Sequence, residues 1–477
     1  MRRRRCPAFA VVRVALAGLA VLALPAAADA AAKSEADRLW LVGAGAFEDG
    51  LYETAYRELG RFTQVAPTDR RRGDAALLRG KAAFWMERYA EALAEFDAAE
   101  TFPPTVAPPG EAIFWQGETL VRLRRVEEAR DRYARFLALK PSSPYVPEAL
   151  YARGLTELEV GRTDSAVDTF RDFLRDYPNH PHASTAAYSA GRELVRAKRW
   201  EDALALLGPY ASRYPGSPYL AETRYLLGVA QMESGRPEGV RTLEQFIAQA
   251  PGNELVPTAR VLVAEGQAKA GRPREALEQY QALVRATPTH ALAPQALYRI
   301  GELASRLNRF ADAEAAWTTL RRDFPQHALA GPSGLAAARL HEQRKQWERA
   351  LQAAQSVADL KGEERSEALL LVGQSALQLR RNSEAAQAYH AVVVEAPPAS
   401  KRYFEGLAGL AAALEAVADK EGAKRAYREI ADSGQDSDLV RWAQGRLAAL
   451  EAPAPPPPRE APRPRPKPKA PAKSGGG

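Results

Sequence analysis

Reactive side chains are scarce in this sequence. Its 477 residues hold one cysteine, Cys6, together with six histidines and three methionines. A single cysteine excludes an internal disulfide and a thiolate metal cluster. No H-E-x-x-H, G-x-S-x-G or Walker glycine loop occurs, so the signatures of a zinc protease, a serine hydrolase and a P-loop NTPase are all missing. Gly43-Ala44-Gly45 lacks the third glycine of a dinucleotide fingerprint, and no strand pattern precedes it. Three of the histidines, His180, His290 and His327, sit two residues after a proline, in a slot that Ser143 and Ser217 fill elsewhere. They read as a polar turn position. Packed helices stand about 8–10 Å apart, too far for metal–nitrogen bonds of about 2 Å to bridge successive turns. Acidic residues lie on polar helix faces among lysines and arginines, as on a solvated surface. The reading is a non-enzyme with no catalytic residue, no cofactor and no metal.

Long apolar runs are missing too. Val14 to Leu24 is the longest, short of the ~20 residues that span a bilayer. With Arg2 to Arg5 before it and Ala28-Asp29-Ala30 after it, residues 1–30 read as a secretory signal peptide. Cys6 precedes the apolar run instead of marking a cleavage point, which argues against a lipid anchor. The expectation is an exported, periplasmic protein of a bacterial envelope, with no transmembrane span in the mature chain.

A dominant charge is also absent from the body. The chain carries a formal +7, but residues 1–30 hold five arginines against one aspartate, and 452–477 hold six basic residues against one glutamate. The 55 basic and 57 acidic residues between them nearly cancel, which excludes a nucleic-acid groove. The last 26 residues contain ten prolines and the run Arg463-Pro-Arg465-Pro-Lys467-Pro-Lys469. That composition reads as a disordered, extended cationic tail. Arg463, Arg465, Lys467 and Lys469 are candidate contacts to an anionic envelope component, against the plainer reading of a solubilising tail.

What fills the remainder is a repeat. Gly43, Gly80, Gly117, Gly154, Gly191 and Gly228 are each 37 residues apart, and Ala264, Gly301, Ala338, Gly373 and Ala411 continue the series at steps of 35 to 38. Twelve residues on comes alanine, as in Ala55, Ala92, Ala129 and Ala166. Four further comes a bulky side chain, as in Phe96, Tyr133, Phe170 and Trp317. Twenty-four after the first comes proline, as in Pro67, Pro141 and Pro178. Apolar spacing of three and four on either side of Gly161-Arg162-Thr163-Asp164 marks a helical hairpin, with Thr163 or Asp164 as the expected N-cap. A helical glycine costs roughly 1 kcal/mol, so the glycine column implies close helix crossing, with the alanine column as its expected contact and the bulky column between hairpins. Proline ends each second helix, and Pro144, Pro181 and Pro218 are expected in the first turn of the next helix. Around Arg236–Val240 the alanine is missing and Pro251 arrives one residue early, so a local change in superhelix pitch is expected there.

These columns resemble the tetratricopeptide repeat (TPR), over about 31–434. The resemblance implies an all-α, TPR-like α-solenoid, a right-handed superhelix of about eleven hairpins, with residues 435–451 as a capping helix and 452–477 as the tail. The Pro-x-x-Pro turns and Ala-Leu-Tyr openings resemble more loosely an exported bacterial subgroup, which includes the outer-membrane assembly lipoprotein and the Tol-Pal-associated periplasmic protein. In this family the first helix of each pair lines a concave groove. That places Trp40, Phe114, Tyr151, Tyr188, Tyr225 and Tyr298, each three residues before the small column, in a candidate partner-binding groove with Arg192 and Arg196. The alternative is that the rings pack against the preceding hairpin. Lys81, Arg122, Glu118 and Glu265 lie nearby with mixed signs, which suits protein partners, as an extended peptide or a helix, better than phosphate. The function expected is a scaffold or adaptor for protein–protein interactions, or else a non-catalytic accessory subunit of a cell-wall glycan enzyme or of a polymer-secretion or outer-membrane assembly machine.

Overall fold

The computed structural model describes residues 35–102, 105–357, 359, 361–434 and 436–452. The signal expected at 1–30 and the tail residues Arg463, Arg465, Lys467 and Lys469 lie outside them. Every regular element among the described residues is a helix. The chain divides between Glu193 and Leu194 into two compact units.

In the first unit, α1 (Glu35–Glu48) pairs with α2 (Tyr52–Val65), α3 (Arg72–Trp85) with α4 (Tyr89–Thr101), α5 (Glu111–Arg122) with α6 (Val126–Ala138), and α7 (Val146–Glu159) with α8 (Thr163–Asp176). The dividing point falls inside α9 (Ala183–Arg196), which is followed by α10 (Trp200–Leu207) and the one-turn α11 (Tyr210–Arg213). Then α12 (Leu220–Glu233) pairs with α13 (Glu238–Gln249), α14 (Val256–Lys269) with α15 (Pro273–Ala286), and α16 (Ala293–Arg306) with α17 (Phe310–Asp323). The last pairs are α18 (Ala330–Gln343) with α19 (Trp347–Gln355), α20 (Gly362–Gln378) with α21 (Asn382–Glu395), and α22 (Lys401–Ala416) with α23 (Lys420–Ser433). α24 (Ser437–Glu451) follows, with Trp442 edge-on to Tyr427 at 5.3 Å and Leu447 and Leu450 against the core formed by α22 and α23. Within each unit, hairpins pack on their neighbours in sequence, the arrangement of an all-α solenoid.

The glycine column meets the bulky column, not the alanines. A Cβ at Gly117 would lie 2.7 Å from the Tyr133 ring, and one at Gly154 2.6 Å from Phe170. The ring therefore fills the inside of its own hairpin rather than the gap to the next one. The alanines do a different job. Ala55 packs with Ala46 of α1 and Ala82 of α3, where three helices meet. Ala55, Ala92, Ala129 and Ala166 are completely buried.

The turn inside each hairpin is closed by backbone, which corrects the side-chain cap expected at Thr163 or Asp164. α8 opens at Thr163 behind Arg162, and no side chain caps it. Instead Gly161 takes a left-handed φ of 78°, and the Arg162 amide donates to the Glu157 carbonyl at 2.8 Å. This is a Schellman turn. It recurs seven residues after every small-column residue: at Gly50, Gly235 and Gly271, and with φ between 57° and 66° at Glu87, Arg124, Lys198, Asn308, Lys345, Arg380 and Ala418. The following position is arginine in most hairpins. Arg88 and Arg381 reach the previous second helix, at 2.8 Å from Glu53 and 2.9 Å from Glu348, whereas Arg125 and Arg309 pair with Glu128 and Asp312 in the first turn of their own.

Between hairpins, the residue before the proline leaves the helical region, at φ −132° and ψ 53° for Tyr177 and φ −139° and ψ 67° for Thr287. The polar slot two residues after the proline then closes the turn that leads into the next helix. His180, His290 and His327 accept through Nδ1 from the amides of His182, Leu292 and Leu329, and Ser217 Oγ accepts likewise from Tyr219. Pro144, Pro181 and Pro218 fall inside this turn, two residues before their helices begin, which corrects their expected place in the first helical turn. The Ala183 amide donates to the His180 carbonyl at 2.8 Å, so Pro181 takes position i+1 of a β-turn, where proline is favoured.

Near Arg236, where the alanine column is broken, the small contact shifts by one residue. α13 starts behind Pro237 and has 12 residues. Buried Gly239 takes the alanine's place, where a Cβ would lie 2.5 Å from the Met232 side chain and 3.0 Å from the Gly228 carbonyl.

Candidate partner-binding face

The candidate rings pack within their repeats, Trp40, Phe114 and Tyr151 also against the turn that follows. The Trp40 ring sits 5.6 Å from Phe62, with the Arg71 guanidinium 5.6 Å from its centre. Arg71 is itself fixed by Asp37 at 2.8 Å and Asp69 at 2.7 Å, and its hydrogen bond holds the Asp69 carboxyl down to about 2. Tyr151 stacks on His182 at 4.4 Å and leans on Phe170 and Phe173. Tyr188 lies beneath Arg192 at 5.8 Å. Tyr225 packs on Phe246 at 5.6 Å, and Tyr298 flanks the core around Tyr280 and Trp317. Burial raises the phenols of Tyr225 and Tyr298.

For Trp40, Tyr151 and Tyr225 the packing is forward, onto the second helix of the same hairpin, whereas Tyr298 also flanks residues of α15 in the preceding one. Five of the six rings keep a partly exposed edge. Phe114 does not. It is 4 % exposed, stacked on Tyr145 at 4.6 Å and close to Tyr133 and Phe136, so it presents no face to a partner. Arg192 is exposed and bonds the Glu193 carboxylate at 3.0 Å, and Arg196 is exposed on α9.

A further opening lies in the second unit. A cavity of about 1010 Å³ is lined by the first helices α18, α20 and α22 and by the start of α24. Its apolar floor includes Leu370, Leu371, Phe404 and Ala408. Tyr389, from α21, comes up between Gly373 of α20 and Gly409 of α22, where neither side has room for a Cβ. Burial and the Glu342 charge push its phenol well up.

One edge of the cavity is a ladder of ion pairs. Arg339 bonds Glu367, Arg402 reaches Glu405 at 3.0 Å and Glu367 at 3.7 Å, and Lys401 lies 3.8 Å from Glu405. Asp436 accepts from the Asp438 and Leu439 amides as the N-cap of α24. Glu342 differs. Its carboxylate makes no hydrogen bond or ion pair among the described residues, and burial raises its pKa despite the more distant Arg339.

The aromatic stripe does not extend to this cavity. In the cavity the corresponding slots hold Leu370 and Ala408. The usable signal was the loss of aromatics: a stripe that shrinks to alanine leaves space. Among the described residues, no group of three or more His, Cys, Asp and Glu is arranged to hold a metal, and no helix is long and apolar enough to cross a membrane.

The family comparisons agree with this repeat geometry. A tetratricopeptide-repeat family model matches residues 77–144 and 335–400. The chain is a tetratricopeptide-repeat protein. The YfiO family model, described as an outer membrane lipoprotein, matches residues 145–358. No curated protein sequence matches significantly. Among solved structures, Naa15/Naa10 bound to HypK-THB is similar over 87% of this chain and 66% of that one, at 14% identity and a TM-score of 0.43. MamA from Desulfovibrio magneticus RS-1 is similar over 38% and 97% of the two chains, at 20% identity and a TM-score of 0.32. YrrB, described as a TPR protein with an unusual peptide-binding site, is similar over 40% and 94%, at 17% identity and a TM-score of 0.34. In the TPR chain described here, the last three first helices frame the cavity, and its polar edges alternate in sign.

Proposed function

We propose that this TPR protein is an exported, non-catalytic scaffold of the bacterial cell envelope that holds a segment of a protein partner on its first-helix face. The observation that carries this reading is the cavity at α18, α20 and α22, whose apolar floor and mixed-charge edges suit a peptide or helix better than a polyanion. The charged, apolar and small-residue pattern of 1–30 and the match of 145–358 to an outer membrane lipoprotein model support export to the periplasm. In this reading residues 31–434 are about eleven repeats, 435–451 a cap and 452–477 a tail. Trp40, Tyr151, Tyr188, Tyr225 and Tyr298, with Arg192 and Arg196, offer further partner contacts, and the tail cations offer an electrostatic contact to an anionic envelope component.

A second reading, an accessory subunit of an assembly or cell-wall machine, is favoured by the same outer membrane lipoprotein match. The test for the first is recovery of envelope proteins by the full chain and by Ala408→Trp, which fills the cavity. Recovery is expected to fall at least tenfold in the variant. Equal recovery removes the cavity from the function. Release of fragments from peptidoglycan by the purified chain would overturn the non-catalytic reading.

A further inference from the structure

The cavity lies beside the helix that leads into the cationic segment. α24 begins at the cavity, which Asp436 and Leu439 help to line, and runs 15 residues to Glu451. It is fastened at its far end, where Arg428 holds Glu451 at 2.5 Å and Arg446 bonds Glu415. A helix of that length places residue 452 about 22 Å from where α24 starts. Arg463 follows 12 residues after Glu451, and an extended chain at about 3.1 Å per residue covers that return with ~15 Å to spare.

The chemistry matches as well. Residues 453–477 carry six basic side chains and one acidic one, alternating with prolines between Pro462 and Pro468. Among the described charged residues that line the cavity, Arg339, Arg402 and Lys401 are already matched by Glu367 and Glu405, Asp436 accepts from the α24 amides, and Glu342 has neither a hydrogen bond nor an ion pair. Proline rings suit a floor of Tyr389, Phe404, Leu370 and Ala408. We propose that residues 453–477 dock in cis in the α18–α20–α22 cavity, setting one cation of the Arg463–Lys469 run on Glu342 and occupying the face until a partner displaces them. The competition with a partner rests on the scaffold reading; the docking itself does not. A tethered segment has an effective concentration in the millimolar range, so a weak contact suffices for occupancy. A second copy of the chain or a separate protein are the other possible occupants, and neither is tied to the cavity by chain connection.

The experiment uses the full chain with a photoreactive amino acid at Gln374, an exposed residue on the cavity wall. Irradiation of dilute protein is expected to give monomeric species crosslinked to 459–473. The yield should fall at least threefold in Glu342→Gln, and likewise when Arg463, Arg465, Lys467 and Lys469 are all changed to serine. It should also fall on raising salt from 50 to 500 mM, as a screened ion pair would. No crosslink to 453–477, crosslinks only between two copies, or a yield indifferent to all three changes would overturn the proposal. Because no partner is present, a crosslinked tail with no envelope protein recovered would sink the scaffold reading alone.

Discussion

Gly80 lies so close to the ring of Phe96 that a methyl group in its place would come within 2.5 Å of it. Both sit inside one hairpin, and the ring is wholly buried. Helix propensity favours alanine over glycine by roughly 1 kcal/mol, but overpacking a rigid core costs about 1–3 kcal/mol. Gly80→Ala is therefore expected to lower stability by about 1–2 kcal/mol. Gly445→Ala, in exposed α24 with nothing within 4 Å of the added carbon, is expected to raise it by about 0.5–1 kcal/mol. Denaturant melts of the two variants check the opposite signs; equal shifts would refute the close-approach account.

The left-handed turn position makes a second contrast. Glu87, Arg124 and Arg380 adopt φ near 60° with a side chain that disfavours it. Replacing each with glycine is expected to gain about 0.5–1 kcal/mol, while Gly161→Ala should lose about 1 kcal/mol. Thermal melts of the three glycine variants, singly and combined, measure this.

The arginine that follows each turn is expected to matter far less. The Arg381 and Glu348 side chains are 47% and 52% exposed, and exposed pairs contribute about 0–1 kcal/mol. Arg381→Ala should cost less than about 0.5 kcal/mol and lose even that in high salt. A loss above 2 kcal/mol would show that the ladder staples the hairpins together.

A pH effect is expected at Glu118, which accepts a hydrogen bond from the Tyr133 hydroxyl at 2.6 Å. Burial raises its carboxyl above the ordinary value, with the Tyr133 bond and Arg122 opposing. A raised acid is stabilised in its protonated form, so its contribution is present below the unfolded value near 4.5 and is lost as pH rises through the folded value. Glu118→Gln keeps an acceptor for Tyr133 and removes the charge. Its melting temperature should exceed that of the parent at pH 7.5 and converge with it at pH 4. A variant less stable at both values would contradict this sign.

Residue identity made the small, alanine, bulky and proline columns legible, because each position tolerates few side chains. Their partners were less so: periodicity shows that Gly154 and Phe170 recur, but only the crossing of α7 and α8 shows that they touch. The turn column was hidden because only Gly50, Gly161, Gly235 and Gly271 have the expected residue there. The Schellman hydrogen bond holds lysine, glutamate and arginine in the same conformation. The cavity was hidden for the opposite reason. It arises where Leu370 and Ala408 replace rings, and its one trace in the sequence is that thinning of the aromatic stripe. Phe114 looked like its neighbours in the stripe and is buried because Tyr145 covers it.

The one-residue shift behind Pro237 carries a consequence for how such a chain grows. The missing residue is absorbed in the first turn of α13, and the hairpin after it resumes with Ala264, Ala276 and Tyr280 in their usual places. Length errors are thus cancelled locally before they reach the next unit. Copies of a hairpin can be duplicated, drift by a residue and still stack, which is how steps of 35, 36, 37 and 38 coexist in one working array.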